Sequence, residues 1–376
     1  MRGAALQESD LLLNITGDGI TFARACEVPS DILPACVNQH VAIIRIDRTL
    51  AVPGYILSYL THPAIKSYIE SFNAGGSRRA ITKGHIEAFQ IPLPPLFEQR
   101  GIAYLLAALD EKIELNRRMN ETLEAMARAL FKDWFVDFGP TRAKQEGLEP
   151  YLAPDLWSLF PERLDAEGYP EGWGLQPLLH HHANLLSGGT PKTDVTAYWG
   201  GPIPWASAKD VSQCGQPFLV TTERTITQRG LEESATRLIP RHATVVVARG
   251  ATTGRFCLFG DAMAMNQTCY AIASPQGYPF WLNCAFDDLV NNLVQSGHGS
   301  VFNTITTKTV ERARVMIPIN GLIERFEKVV EPLFLRILAN IEESRTLAQT
   351  RDLLLPKLMS GEIRIQDAER TAEAVL

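Results

Sequence analysis

The sequence predicts an α/β (α+β) chain of two globular β-rich domains, each followed by a long helix, the two helices pairing as an antiparallel coiled coil. Three observations predict this. The same ordered series of segments is written twice, each series closes on a proline-containing apolar junction, and each junction opens a run of leucine-rich heptads. The junctions read "IPLPPLFEQRGIA" at 91–103 and "IPINGLIERFEKV" at 317–329.

The repeat runs through the β-rich part first. "SDLLLNITGDGITFARA" (9–25) matches "HATVVVARGATTGRFCL" (242–258), each an apolar β-rich run ending in a glycine loop and an arginine. "CVNQHVAIIR" (36–45) matches "AMNQTCYAIA" (264–273), with Asn38 and Gln39 over Asn266 and Gln267. "PGYILSYLTHPAIKSYIESF" (53–72) matches "PFWLNCAFDDLVNNLVQSG" (279–297), both with the apolar spacing of a helix packed on one face. "GGSRRAITKGHIEAFQIPLP" (75–94) matches "GHGSVFNTITTKTVERARVMIPI" (297–319), and the junctions follow. One duplication explains a shared order better than a set of chance matches. The second copy has an additional front part, 172–241, with no counterpart in the first copy, so the first domain is expected to be incomplete at its N-terminus.

The helices come next. From about Phe97 to Phe135, Leu105, Leu109, Asn116, Leu123 and Leu130 fall at heptad-like spacings together with Ile102, Met119 and Met126, interrupted by Lys112. The second helix offers Leu333, Ile337, Asn340, Leu347 and Leu354. Asn116 and Asn340 hold equivalent seam positions, where a polar residue fixes register at some cost in stability. Gly139 and Pro140 are expected to stop the first helix, with 138–150 reading as linker.

Bulk properties bound the function. A chain of 376 residues with 45% hydrophobic content has material for two or three cored domains, and a net charge of −6 excludes a uniformly basic coat without excluding local basic patches. Six scattered cysteines without a CxxC pair predict reduced thiols. The N-terminus lacks an apolar core of signal-peptide length, and no stretch approaches the ~20 apolar residues of a membrane span, so a soluble, cytoplasmic protein is expected. No NPP[YF] or DPPY motif for methyl transfer and no GxxxxGK[ST] for ATP is present, so no enzymatic role and no cofactor are expected. "LDEK" (109–112) resembles part of a nuclease carboxylate–lysine set, but it lies inside the heptads and reads as a solvated helix face. "HHH" (180–182) lacks companion ligands at metal-site spacing.

The duplicated layout, with "IPLPPLFEQRGIA", "LFKDWFVDF", "SGGTPKT", "RGATTGR" and the closing "LAQTRDLLLPKLMSGEIRI", resembles the DNA specificity subunit of type I restriction-modification systems over essentially the whole chain. The resemblance implies two target-recognition domains, each reading half of a bipartite site on double-stranded DNA, with helices acting as spacer and docking surface. The implied partners are a pair of methyltransferase subunits and an ATP-dependent restriction subunit. It implies this division: 1–96 first recognition domain, 97–137 first conserved helix, 138–171 linker, 172–320 second recognition domain, 321–363 second conserved helix and 364–376 tail. The short first domain gives a variant of that reading, a truncated or degenerate specificity subunit. A coiled-coil scaffold that binds only protein is the alternative from another class.

Candidate DNA contacts are the residues that supply phosphate donors or match base edges. In the glycine loops these are Gly17, Gly19 and Arg24, and Arg249, Thr252, Thr253 and Arg255; an ordinary glycine turn with surface arginines is an equal reading. The loops before the junctions offer Arg78, Arg79 and Lys83 in the first copy, and Asn303, Thr306 and Lys308 in the second. In "SGGTPKT", Gly188, Thr190 and Lys192 are candidates beside the reading of a tight turn packed by aromatics. Asn266 and Gln267 could read adenine, but recurrence of the pair in two domains that should read different sequences favours a structural role.

Overall fold

The computed structural model describes residues 5–17, 21–72, 79–179, 182–296 and 305–375, with backbone only at 79, 291–296 and 309. The chain divides into two compact units, one of residues 1–116 and 343–376, the other of residues 117–342. The two long helices, Leu96–Phe131 and Leu322–Ser360, each contribute one half to each unit. This gives the predicted class, mixed helix and sheet with the two helices running antiparallel against one another.

In the first unit a three-stranded antiparallel sheet has Leu11–Asn14 at its centre, between Ala25–Glu27 and Val41–Ile44. Alternation is visible in the central strand, where Leu11 and Leu13 are buried and Leu12 and Asn14 less so. Tyr55, Ile56 and Leu60 of the helix Pro53–Thr61 share a core with Ile102, Leu105, Leu106 and Leu109, and with Leu347, Leu354, Leu355 and Leu358. Ala368 and Ala372 of the last helix, Ile365–Glu373, close that core.

The second unit repeats the arrangement with more around it. Thr244–Val247 is flanked antiparallel by Phe256–Phe259 and Cys269–Ala273, the same neighbours in the same chain order as in the first unit. Asn184–Ser187 and Phe218–Leu219 extend this into five strands. A second sheet orders Arg224–Ile226, Trp199–Ala206, Met263–Met265 and Leu238–Ile239, and a ribbon pairs Gly174–Pro177 with Arg314–Ile317. Among the described residues of the first unit nothing corresponds to the strands built from 172–241.

The paired helices bury most of the predicted seam. Leu105, Leu109, Asn116, Ile337, Asn340, Leu347 and Leu354 are buried; Leu123, Leu130 and Leu333 are half-buried. Met126, grouped with that seam from its spacing, is instead 48% exposed while Ala127 is fully buried, because a 3.6-residue helix drifts away from a strict heptad. Asn116 donates to Glu343 Oε2 at 2.6 Å, and Asn340 donates to Asn120 Oδ1 at 2.8 Å. The "LDEK" residues are used in the pairing: Leu109 is core, Asp110 pairs with Arg351 at 2.5 Å and Lys112 with Glu343 at 3.4 Å.

The first helix ends differently from expectation. A wider π turn at Lys132–Val136 buries both Trp134 and Phe135, whose rings meet Phe160 and Phe326 edge-on. Phe138 then makes the stop, in the left-handed region at φ 58°, with its ring packed edge-on against Trp173 at 5.8 Å. Gly139 and Pro140 do not end a helix but begin the next one, Gly139–Gln145, in which Pro140, Thr141 and Ala143 are buried. The stretch 138–150 is therefore partly helical and packed.

The two junctions share a device the sequence did not reveal. Gln99, buried in the first turn of its helix, accepts the Val52 N–H at 2.9 Å, where the helix Pro53–Thr61 begins. Its amide donates to the carbonyls of Leu50 and Pro94. Buried Glu327 accepts the N–H groups of Phe280 (3.0 Å) and Trp281 (2.7 Å) at the start of Pro279–Ser296. In each unit a side chain from the long helix thus satisfies orphan donors of the preceding helix. Burial pushes the Glu327 carboxyl up to about 7, against the opposing pull of those two N–H groups.

Candidate nucleic-acid interface

Both units bring together the two loop families that the sequence singles out, and by the same bond. In the first, Thr16–Gly17 pairs with Arg79–Ala80, and the Ile81 N–H donates to the Ile15 carbonyl at 3.0 Å. In the second, the Ile305 N–H donates to the Ala248 carbonyl at 2.8 Å. Candidate residues follow each bonded position within two residues: Gly17 and Arg249 on one side, Lys83 and Thr306 on the other. The glycine hairpin and the loop before the junction therefore form one surface feature in each unit.

The candidates distribute over it as follows. A Cβ on Gly17 would stand 2.5 Å from the Thr21 side-chain Oγ1 and 3.3 Å from the Phe22 backbone nitrogen, so a larger residue there would require the Thr21 side chain to shift. Arg24 is exposed, with its carbonyl held by the Asn14 N–H at 2.8 Å. Lys83 opens the helix Lys83–Glu87 with its side chain 88% exposed and 3.3 Å from Glu87. Gly19, Arg78 and Asn303 lie outside the described residues, as does the Arg79 side chain. In the second unit Arg249, Thr252 and Arg255 are exposed on the hairpin, while Thr253 is half-buried and donates its hydroxyl to the Gly250 carbonyl at 2.7 Å. Thr306 and Lys308 are exposed at the start of the helix Thr307–Arg312.

The Asn–Gln pairs have a local function in both units. Asn38 Oδ1 accepts the His40 N–H at 2.9 Å, and Asn266 Oδ1 accepts the Thr268 N–H at 3.2 Å and its hydroxyl at 2.8 Å. These are Asx turns that launch the next strand, Val41–Ile44 or Cys269–Ala273. Gln267 is taken up too, accepting the Thr190 hydroxyl at 2.5 Å.

That bond ties "SGGTPKT" to the turn that precedes Cys269–Ala273. A Cβ on Gly188 would lie 2.3 Å from the carbonyl oxygens of Met265 and Asn266, and one on Gly189 would lie 2.5 Å from the Ala235 carbonyl carbon. Both glycines exist for close backbone packing, which turns them away from any ligand. Lys192 is exposed, and its carbonyl receives the Trp199 indole N–H at 3.1 Å. Trp199 in turn carries the guanidinium of Arg224 at 3.4 Å from its ring centroid. Sequence reading missed Arg224, since the contact is made by pairing of two strands separated in sequence and no local spacing announces it. Of the three histidines, only His182 is described; it is buried, 5.7 Å from the Trp281 ring centre.

Each unit thus carries exposed basic side chains on its joined hairpin and loop, Arg24 and Lys83 in the first and Arg249, Arg255 and Lys308 in the second. Residues 6–125 and 183–322 match the type I restriction modification DNA specificity domain, and the chain belongs to that family. Its members are recognition subunits, and the chain is non-catalytic on that ground. It is 25% identical over 408 residues to the type I restriction enzyme HindI specificity subunit of Haemophilus influenzae, covering 96% of this chain and 87% of that one. It is 23% identical over 353 residues to the MjaIX specificity subunit of Methanocaldococcus jannaschii, covering 89% and 74%. The solved S subunit of the type I restriction-modification system of M. genitalium shares the fold, with a TM-score of 0.54 over 95% of this chain and 84% of that one at 14% identity. No helix among the described residues is long and apolar enough to cross a membrane.

Proposed function

We propose that this subunit reads a bipartite site on double-stranded DNA, one half with each unit, in the cytoplasm. The recognition domains are residues 1–96 and 172–320, and the contacts come from the joined hairpin and loop of each: Arg24, Arg78, Arg79 and Lys83 in the first, Arg249, Thr252, Arg255, Asn303, Thr306 and Lys308 in the second, with Lys192 beside them. The conserved helices, 97–137 and 321–363, dock two methyltransferase subunits, and an ATP-dependent restriction subunit joins that core. The observation that carries this reading is the backbone bond made twice, Ile81 to Ile15 and Ile305 to Ala248, which sets the same two loops side by side in both units. Arginine and lysine on such loops supply phosphate donors and base-edge contacts despite the acidic net charge.

The test is methylation. Assembled with type I methyltransferase subunits, the chain should direct methylation to one defined split sequence. Methylation without sequence preference would refute the reading. A protein-only scaffold is distinguished by DNA affinity, which for the reader should fall steeply with salt and be lost when Arg249, Arg255 and Lys308 are changed to Glu.

A further inference from the structure

Arg224 is an unspent charge with a fixed direction. It stands at the end of an edge strand, next to a register shift between Thr225 and Ile226 that re-aims the chain. Its guanidinium lies 3.4 Å over the Trp199 ring centroid and 5.7 Å from that of Trp205. The platform beneath is itself fixed: Trp199 meets Trp205 edge-on at 5.2 Å and 86°, and its indole N–H is held by the Lys192 carbonyl. The Arg224 carbonyl accepts the Thr222 hydroxyl at 2.7 Å, and that hydroxyl oxygen also receives the Trp205 N–H at 3.2 Å. Neighbouring cations are neutralised, Lys209 by Glu223 at 2.7 Å and Arg229 by Glu233 at 2.9 Å. Arg224 is exposed, and among the described residues no carboxylate pairs with it.

It is linked through bonded residues to the hairpin and loop already described. The Lys192 carbonyl links Trp199 to the "SGGTPKT" turn, and Thr190 of that turn bonds Gln267. The adjacent Thr268 carbonyl accepts the Ala248 N–H at 2.8 Å, and Ala248 carries the bond from Ile305. A continuous path of bonded residues therefore runs from the Lys308 loop, through the Arg249 hairpin, to Arg224.

We propose that Arg224 is a DNA-reading residue of the second unit, its stacked guanidinium presenting paired N–H donors to two acceptors on the DNA. This rests on the reading of that unit as a DNA reader. Stacking on Trp199 has already removed most of the side chain's freedom, so a bidentate contact forms with little further ordering, and the planar fork matches either the O6 and N7 of guanine or two phosphate oxygens. A lysine at the same place supplies charge without the fork.

The experiment uses the full chain assembled with its methyltransferase subunits and the duplex that the complex methylates. Affinity is measured across a salt series for wild type, R224A and R224K, with thermal melts of each. The expected result is a loss of roughly tenfold or more in both variants with the melting temperature little changed. Loss at an unchanged salt slope identifies guanine as the acceptor; loss with the slope reduced by about one identifies phosphate. Wild-type affinity in R224A overturns the proposal, and so does full recovery in R224K, which alone decides the matter if R224A does not fold. A wild-type complex that binds no duplex preferentially overturns the DNA-reading function itself, and the role of Arg224 with it.

Discussion

Ile305 donates its backbone N–H to the Ala248 carbonyl at 2.8 Å, and through that bond the loop bearing Lys308 rides on the hairpin bearing Arg249. Two cations 59 residues apart in sequence thereby belong to one surface. If both touch DNA phosphates, Arg249→Ala and Lys308→Ala should each weaken binding across all sequences and each lower the salt slope by about one. Affinities of the assembled complex at several salt concentrations check this. A variant with an unchanged slope removes its residue from the phosphate contacts.

Asn340 and Asn120 make a buried polar contact of the helix pair in the second unit, bonded at 2.8 Å. Asn340→Leu strands the Asn120 side chain in an apolar seam and should cost about 1–3 kcal/mol. Changing Asn120 to Leu as well should return part of that loss, since the Asn120 amide oxygen is then no longer buried without its donor. Urea unfolding of the full chain measures both. A double variant as unstable as the sum of two singles would contradict the account.

Glu327 gives a pH dependence with a definite sign. Burial raises its carboxyl from the ordinary 4.5 to about 7, so across that interval the native chain holds a proton that the unfolded chain has released. Stability must then fall as pH rises from about 4.5 to about 7. Glu327→Gln cannot ionise and removes that component. Stability curves measured from pH 5 to 8 should drop more steeply for wild type than for the variant, and parallel curves would show that Glu327 does not titrate in this range.

Gly188→Ala should act through folding. Its Cβ would sit 2.3 Å from two backbone carbonyl oxygens, which cannot yield as a side-chain tip can. Overpacking of this kind costs about 1–3 kcal/mol. Thermal melting should report the loss, while the folded fraction binds DNA with the wild-type salt slope.

What the sequence disclosed was whatever repeats. The strands around Leu11–Asn14 and Thr244–Val247 and the long helices could be read because the apolar pattern is written twice. The Asn–Gln pair could be read as structural for the same reason, and Asn38 and Asn266 do make matching turns. What stayed hidden was set by distance in three dimensions. Gly188 looks like a phosphate-loop glycine until the carbonyls of Met265 and Asn266 are beside it. Met126 keeps the heptad spacing but not the heptad face. Gln99 and Glu327 perform one task with different side chains, so comparing the two copies does not align them. Arg224 and Trp199 meet only because strands 20 or so residues apart pair antiparallel across a bulge.

The central claim is that each unit reads its own half of a split DNA site, and mapping the methylated motif tests it most directly. Genomic DNA would be sequenced for methylation after exposure to the complex carrying the wild-type chain or a variant in which residues 172–320 are replaced by the matching segment of a relative. The account predicts that the wild type marks one split motif, and that the variant changes one half of it while the other half stays the same. An unchanged motif, or one altered equally in both halves, would contradict it.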